Sequence, residues 1–336
     1  MKIYTIGYLG AGAWGVCLAD LLAKKGHRVK VWCRNEVLAK QLNTERKHPN
    51  LKNYTLHKDL YFTSNLAEVL EDIDFLVESV TSSGTRPVFE QVKKLAPNLD
   101  CPIVLTSKGI EQDSGFLLLD VVLDVLGKEY QDRLTYLSGP SFADELIREL
   151  PTTVVCAGFD PEVTHRVQNL FQYKTFRIYP NYDIKGVEFG GAMKNIIAIA
   201  CGASDGLGFG NNSRAALMTR GLHEIRKLAI AKQCRSETIN GLSGMGDLCL
   251  TCSSKFSRNY RFGYLMAQGK TMEEAKKEIG MVVEGAYTCV SALQIAEKMG
   301  VSLPITEAVH KVLYKGVKPM DAVRFLLERE VKEEHL

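Results

Sequence analysis

"YLGAGAWGVCLADLL", residues 8–22, is the stretch whose reading decides the fold. The apolar run before it, "IYTIGYL" (3–9), reads as a β-strand, and the residues after it, 13–25, carry a helical pattern. Between the two, Gly10, Gly12 and Gly15 fit G-x-G-x-x-G, and the strand-turn-helix context raises that pattern above a chance match. The first glycine permits a tight turn, the second lets a ligand approach the main chain, and the third lets helix and strand pack closely. A helix N-terminus adds unpaired N–H groups and the positive end of a dipole. The spacing predicts a cradle for the diphosphate of a dinucleotide; the competing reading is a glycine turn that holds nothing.

Outward from this motif, further strand-like runs fall at 28–33, 74–79, 102–107, 134–139, 152–158 and 175–179. Helical patterns lie between them at 35–45, 86–96 and 113–126. Strand and helix in alternation predict a mostly parallel sheet covered on both faces, the doubly wound Rossmann class. After "PNYDIKG" (180–186) the pattern changes to helices separated by glycine-bearing turns. The expectation is an α/β Rossmann domain over 1–182 followed by an all-α domain over 183–330. The second strand ends at "VWCRNE" (31–36), which sets Arg34 where an acidic side chain would hold a ribose 2′-hydroxyl. An arginine there suits a 2′-phosphate, which points to NADPH ahead of NADH, although an exposed strand-end arginine can also simply face water.

Size and composition exclude several classes. The 336 residues bury a sizeable core, and 42 basic against 39 acidic side chains give a net charge of +3 with no basic arm, so neither nucleic acid nor a membrane surface is an expected partner. The longest apolar stretch, "FLLLDVVLDVL" (116–126), carries charges and falls short of a span of roughly 20 residues. The N-terminus reads as a first strand and not as a signal peptide. Nine irregularly spaced cysteines suit a reducing cytoplasm. Cys249 and Cys252 form C-x-x-C, but no second pair accompanies them; they are read as two thiols packed near a turn, with no metal expected.

If the glycine cradle holds a hydride carrier, a carbonyl substrate needs a proton donor beside its oxygen. Polar residues stand among small ones in "SKGIE" (107–111), "FGGAMKNIIAIA" (189–200) and "GMGDLCLTCSSKFSRNYRFG" (244–263). In the second, Lys194 and Asn195 interrupt an otherwise small and apolar run. A lysine in such a run is costly unless it is paired or functional, or unless its stem lies along the helix with the charge in water.

"GAGAWG", "TSKGIE", "SGPSFADEL", "GGAMKNIIAI", "GLSGMGDLCLTCSSKFSRNYRFG" and "VVEGAYT", taken in order along nearly the whole chain, resemble the NAD(P)-dependent glycerol-3-phosphate dehydrogenases. The resemblance implies reversible interconversion of dihydroxyacetone phosphate and sn-glycerol 3-phosphate with NADPH or NADH, feeding phospholipid synthesis, in a cytoplasmic homodimer. It implies Lys194 as general acid/base without a metal, Lys108 as a contact to both cofactor and substrate, and Asp247 near the substrate hydroxyls, placed to hold Lys194. Gly139, Ser141 and Asn195 are implied as substrate contacts. Ser257, Arg258 and Asn259 form the implied phosphate-side cluster, with Arg258 also near the cofactor. Ala13, Trp14, Ala143, Val282 and Glu284 are implied cofactor contacts, and at Ala13 the contact would be through the backbone only.

Two features depart from that pattern. Ala13 and Trp14 stand where many relatives have a small hydroxyl residue and an aromatic ring. "TSSGTRPVF" (81–89) stands where relatives have a proline soon after the strand, and reads as a longer loop. A β-hydroxyacid dehydrogenase of the 6-phosphogluconate type shares the architecture and a lysine, and its G-x-x-x-K-x-x-x-N pattern is met at Gly190 and Lys194 but not at Ala198. A non-catalytic NAD(P)-binding redox sensor would keep the three glycines while losing Lys194, Asp247 or Arg258; all are present.

Overall fold

The computed structural model describes residues 2–331, 333 and 334. The chain forms two compact units. The first comprises Met1–Ser107 and Leu118–Ile184, the second Lys108–Leu117 and Lys185–Leu336. The sequence pattern predicts a first domain unbroken to residue 182; in these units the segment Lys108–Leu117 groups with the helices. Within the second unit the Ser291 hydroxyl lies 3.3 Å from the Glu111 carbonyl, and a Cβ at Gly115 would stand 3.3 Å from Ile295.

The first unit is built on one eight-stranded sheet: β1 Thr5–Leu9, β2 Arg28–Trp32, β3 Leu60–Thr63, β4 Phe75–Glu78, β5 Ile103–Leu105, β6 Leu134–Ser138, β7 Thr152–Gly158 and β8 Phe176–Asn181. The order is β3-β2-β1-β4-β5-β6-β7-β8, with every neighbouring pair parallel except β6 and β7. Strand order reverses between β1 and β4, where Tyr8 pairs with Val77 and Leu9 with Glu78, and in doubly wound sheets that crevice takes the ligand. The helices of this unit are α1 Ala13–Lys24, α2 Glu36–Glu45, α3 Leu66–Leu70, α4 Ser82–Leu95, α5 Leu118–Leu126, α6 Ala143–Ile147 and α7 Pro161–Phe171. The central strands β4, β5 and β6 are buried along their whole length, as covering both faces of a parallel sheet requires.

Two local readings change. β3 had no strand signal, because it is a four-residue edge strand whose alternate residue Tyr61 is exposed. "TSSGTRPVF" is not an extended loop: Thr81 is the N-cap of α4, and Ser82 onward is helix, with Pro87 inside it.

The second unit is helical: α8 Ile184–Gly206, α9 Asn211–Ala231, α10 Ser236–Ile239, α11 Asp247–Cys252, α12 Arg258–Ala267, α13 Met272–Ile279, α14 Glu284–Met299, α15 Pro304–Tyr314 and α16 Pro319–Leu327. Glycines let its helices touch backbone to backbone. A Cβ at Gly202 would lie 1.9 Å from the Tyr260 carbonyl, and one at Gly263 would lie 1.9 Å from that of Ile199. The small residues of "GGAMKNIIAIACG" therefore seat α12 directly on α8, which puts Asn259 beside Asn195. No helix among the described residues is long and apolar enough to cross a membrane.

Candidate active site

In the first unit the glycine turn is a backbone cradle. Gly10 has φ +107°, and a Cβ there would sit 2.5 Å from the Ser79 carbonyl oxygen, so both conformation and space require glycine. A Cβ at Gly15 would fall 2.8 Å from the Gly10 oxygen and 2.9 Å from the Ser79 Cβ, which is the close helix-strand approach that the third glycine permits. Gly12 is exposed, with nothing within 4 Å of where its Cβ would stand. It caps α1 with no side-chain hydrogen bond, and the first turn carries no acidic residue, so nothing of the first turn neutralises the helix dipole. The half-buried Trp14 presents an indole Nε1 that is buried and without a partner among the described residues. An open backbone, an uncapped helix start and an orphaned donor fit a dinucleotide diphosphate. Ala13 is half-buried at the start of α1. Arg34 is exposed just past β2, with no hydrogen bond or ion pair among the described residues.

Beyond β6 lie three further sequence-derived positions. Gly139 has φ +151°, and its Cβ would meet the Val154 Cα at 2.8 Å. Ser141 donates to the Gly139 carbonyl at 3.0 Å, and Ala143 opens α6, its carbonyl 3.5 Å from the Cys17 thiol on α1.

The helical unit holds a side-chain cluster. Lys194, on α8, is only 6% exposed, and its Nζ donates to Asp247 Oδ1 at 2.6 Å and to Thr251 Oγ1 at 2.7 Å. Asp247, at the start of α11 and 1% exposed, takes Lys108 Nζ on its other oxygen, Oδ2, at 2.5 Å. Burial pushes the Lys194 ammonium down to about 8, helped by the Lys108 charge and opposed by Asp247. Burial also works to raise the Asp247 carboxyl, but Lys108 and Lys194 outweigh it and hold it below the ordinary carboxylate range. Two cations share one anion, so the cluster stays electropositive. Thr251 was not among the residues singled out in the sequence. Its signal is its spacing: one turn past Asp247 on the same helix, its hydroxyl donates to the Asp247 carbonyl at 2.6 Å while accepting from Lys194.

Asn195 lies beside Lys194, buried, and its Oδ1 accepts from Asn259 Nδ2 at 3.0 Å. Asn259 Oδ1 in turn accepts from the Gly285 amide at 2.9 Å, which ties α8, α12 and α14 together. Ser257 is the N-cap of α12, accepting from the Tyr260 amide. Arg258 is exposed, and its Nη1 donates to the Val282 carbonyl at 3.1 Å, two residues before Glu284 opens α14. The structure thus brings Lys108, Lys194, Asp247 and Thr251 into one group, and Asn195, Ser257, Arg258, Asn259, Val282 and Glu284 around the start of α12. Cys249 and Cys252 are free thiols on α11, which ends at Cys252 with a turn at Ser253, Cys252 buried and Cys249 partly so. No group of three or more His, Cys, Asp or Glu side chains among the described residues is placed to hold a metal.

The chain matches the models of the N-terminal part of NAD-dependent glycerol-3-phosphate dehydrogenase over residues 5–164 and of its C-terminal part over 183–324. It belongs to the NAD-dependent glycerol-3-phosphate dehydrogenase family. The chain is 58% identical over 332 residues to glycerol-3-phosphate dehydrogenase [NAD(P)+] of Protochlamydia amoebophila, covering 98% of this chain and 99% of that one. It is 51% identical to the enzyme of the same name from Chlamydia caviae, with 98% and 99% covered. The crystal structure of glycerol-3-phosphate dehydrogenase from Coxiella burnetii superposes with a TM-score of 0.92 at 36% identity, over 97% of this chain and 99% of that one. Membership in this family sets aside the 6-phosphogluconate-type and redox-sensor alternatives; where the former pattern has an asparagine, Ala198 is fully buried.

Proposed function

We propose that this NAD(P)-dependent oxidoreductase reduces dihydroxyacetone phosphate to sn-glycerol 3-phosphate, and runs the reverse oxidation, with Lys194 as the general acid and base. The observation that carries the assignment is the state of its ammonium. Of three protons, two are engaged by Asp247 and Thr251, and the third is left for a substrate oxygen. With its pKa lowered to about 8, Lys194 is charged at neutral pH and still gives up its proton readily, the range in which one group serves both directions. When bound, NAD(P)H supplies the hydride to the C2 carbon and its oxidised form takes it back. Lys194 polarises the C2 carbonyl and protonates the oxygen; in the oxidative direction its neutral amine takes the hydroxyl proton. Asp247 holds Lys194 and Lys108 in place, and the cation excess of the cluster offsets negative charge developing on the oxygen.

Arg258 is assigned to the substrate phosphate, supported by its position at the first residue of α12, between the Ser257 cap and Asn259. Ser257 keeps a hydroxyl proton, and Asn259 one amide hydrogen, for phosphate oxygens. Arg34 is assigned to a 2′-phosphate, hence NADPH ahead of NADH. The family pattern further supports a cytoplasmic homodimer supplying phospholipid synthesis, with the oligomeric state to be read by analytical ultracentrifugation. The deciding experiment follows NADPH absorbance with dihydroxyacetone phosphate, beside 6-phosphogluconate with NADP as control. Rapid loss of NADPH with the first and no formation of NADPH with the second is expected; NADPH formed from 6-phosphogluconate, with none consumed by dihydroxyacetone phosphate, would overturn the assignment.

A further inference from the structure

The stretch joining α2 to β3, residues 46–59, is strapped to α1 and to the glycine turn at two places. Near its far end, Asp20 of α1, 2% exposed, accepts from the Tyr54 hydroxyl and, through Oδ1, from the His57 amide at 2.6 Å. Leu51 and Leu56 are buried beneath it. At its near end the buried His48 ring lies against the glycine turn itself. The Asn50 amide donates to His48 Nδ1 at 3.1 Å, so Nδ1 is an acceptor and the ring hydrogen is on Nε2. Nε2 lies 3.0 Å from the carbonyl oxygen of Ala11, the residue between Gly10 and Gly12, and therefore donates to it.

That contact sets the direction of a peptide plane. The chain has no cis peptide bond, and across a trans peptide the carbonyl and the following N–H point opposite ways. With the Ala11 carbonyl held by His48, the Gly12 N–H faces away from the strap. Gly12 is exposed, and no atom lies within 4 Å of its would-be Cβ. The plane turns about ψ of Ala11 and φ of Gly12, and glycine imposes little on the second, so without the His48 contact the plane is free to flip. We propose that His48 is a positioning residue for the cofactor: by fixing the Ala11 carbonyl it keeps the Gly12 N–H presented to the diphosphate, so the cradle is ordered before the ligand arrives. The inference rests on reading the glycine turn as the diphosphate site.

The test compares binding of ADP-ribose, which carries the diphosphate without the nicotinamide, by quenching of the two tryptophans, Trp14 and Trp32. His48→Leu removes the donor, whereas His48→Gln keeps an N–H at the same reach. His48→Leu is expected to raise the ADP-ribose Kd, and the KM for NADPH, by about tenfold, as for loss of a hydrogen bond that serves a charged ligand. kcat at saturating NADPH should stay within about twofold, and His48→Gln should recover most of the affinity. Unchanged ADP-ribose affinity in His48→Leu would overturn the proposal; so would equal losses in the two variants, which would make His48 a packing residue, or a fall in kcat with KM unchanged. If His48→Leu does not fold, His48→Asn against His48→Gln makes the same comparison, because asparagine is too short to reach Ala11 and should lose affinity where glutamine does not. Failure of the unmodified enzyme to bind ADP-ribose would instead remove the reading of the glycine turn.

Discussion

The two functional regions are made of different material. The cradle of the first unit is main chain: three glycines, an uncapped helix and a carbonyl held from behind. The cluster of the second unit is side chain: two lysines, an aspartate and a threonine, nearly withdrawn from water. A backbone site gains its charge from main-chain dipoles that the helix already aligns, with no ionised side chain to desolvate. A side-chain site must balance desolvation against pairing, and the remainder appears as a shifted titration. The difference teaches where each can be altered. The cradle is sensitive to added atoms, the cluster to lost ones.

The largest expected effect tests the cluster. Lys194→Met removes the proposed proton donor while keeping an apolar stem, and should lower kcat by roughly 100- to 10,000-fold. The affinity for ADP-ribose should be untouched. Near-normal turnover would take Lys194 out of the chemistry, and a parallel loss of ADP-ribose binding would break the separation between the two regions.

Next comes the cradle. Gly10→Ala puts a Cβ into a φ of +107° and within 2.5 Å of the Ser79 oxygen. It should weaken cofactor binding by more than about tenfold and destabilise the first unit by about 1–3 kcal/mol, measured by calorimetry beside binding. An alanine accepted there with unchanged Kd would show that the turn does not depend on that conformation.

Arg258→Ala should lower kcat/KM for dihydroxyacetone phosphate by at least about tenfold, about 1.4 kcal/mol, while sparing the slow reaction of unphosphorylated dihydroxyacetone. Equal losses on both substrates would move Arg258 from the phosphate to the fold, where its contact with the Val282 carbonyl already places one of its hydrogen bonds.

The pH profile sharpens the comparison more gently. Because Lys194 is lowered to about 8, its acid form is lost as pH rises through that value, so reduction should decline above about pH 8. Oxidation needs the neutral amine and should climb over the same interval. A profile for reduction that stays flat to pH 10 would mean the lysine keeps an ordinary pKa. Smallest of all, Arg34→Asp should move the ratio of kcat/KM for NADPH and NADH toward NADH, mainly through KM, while leaving kcat in place. An unchanged ratio would return Arg34 to the solvent.

Alternation of strands and helices, the glycine spacing and the basic strand end were legible in the sequence because each is local: the periodicities are written in neighbouring residues, and G-x-G-x-x-G spans six positions. The short edge strand Leu60–Thr63 escaped because four residues with one outward tyrosine carry too little alternation to mark a strand. Lys194 could be suspected from its apolar surroundings, and the resemblance supplied Asp247 and Lys108. What no spacing expressed was that one carboxylate lies between two lysines 139 and 53 residues away from it, or that Thr251 completes the group. His48, 37 residues beyond Ala11, is silent in the sequence for the same reason. The sequence by itself determined the sheet, the cradle and the residue types capable of the chemistry. Only the tertiary structure decided their state, because a pKa, a tautomer and the direction of a peptide plane depend on burial and on partners that the folded chain brings from far along its length.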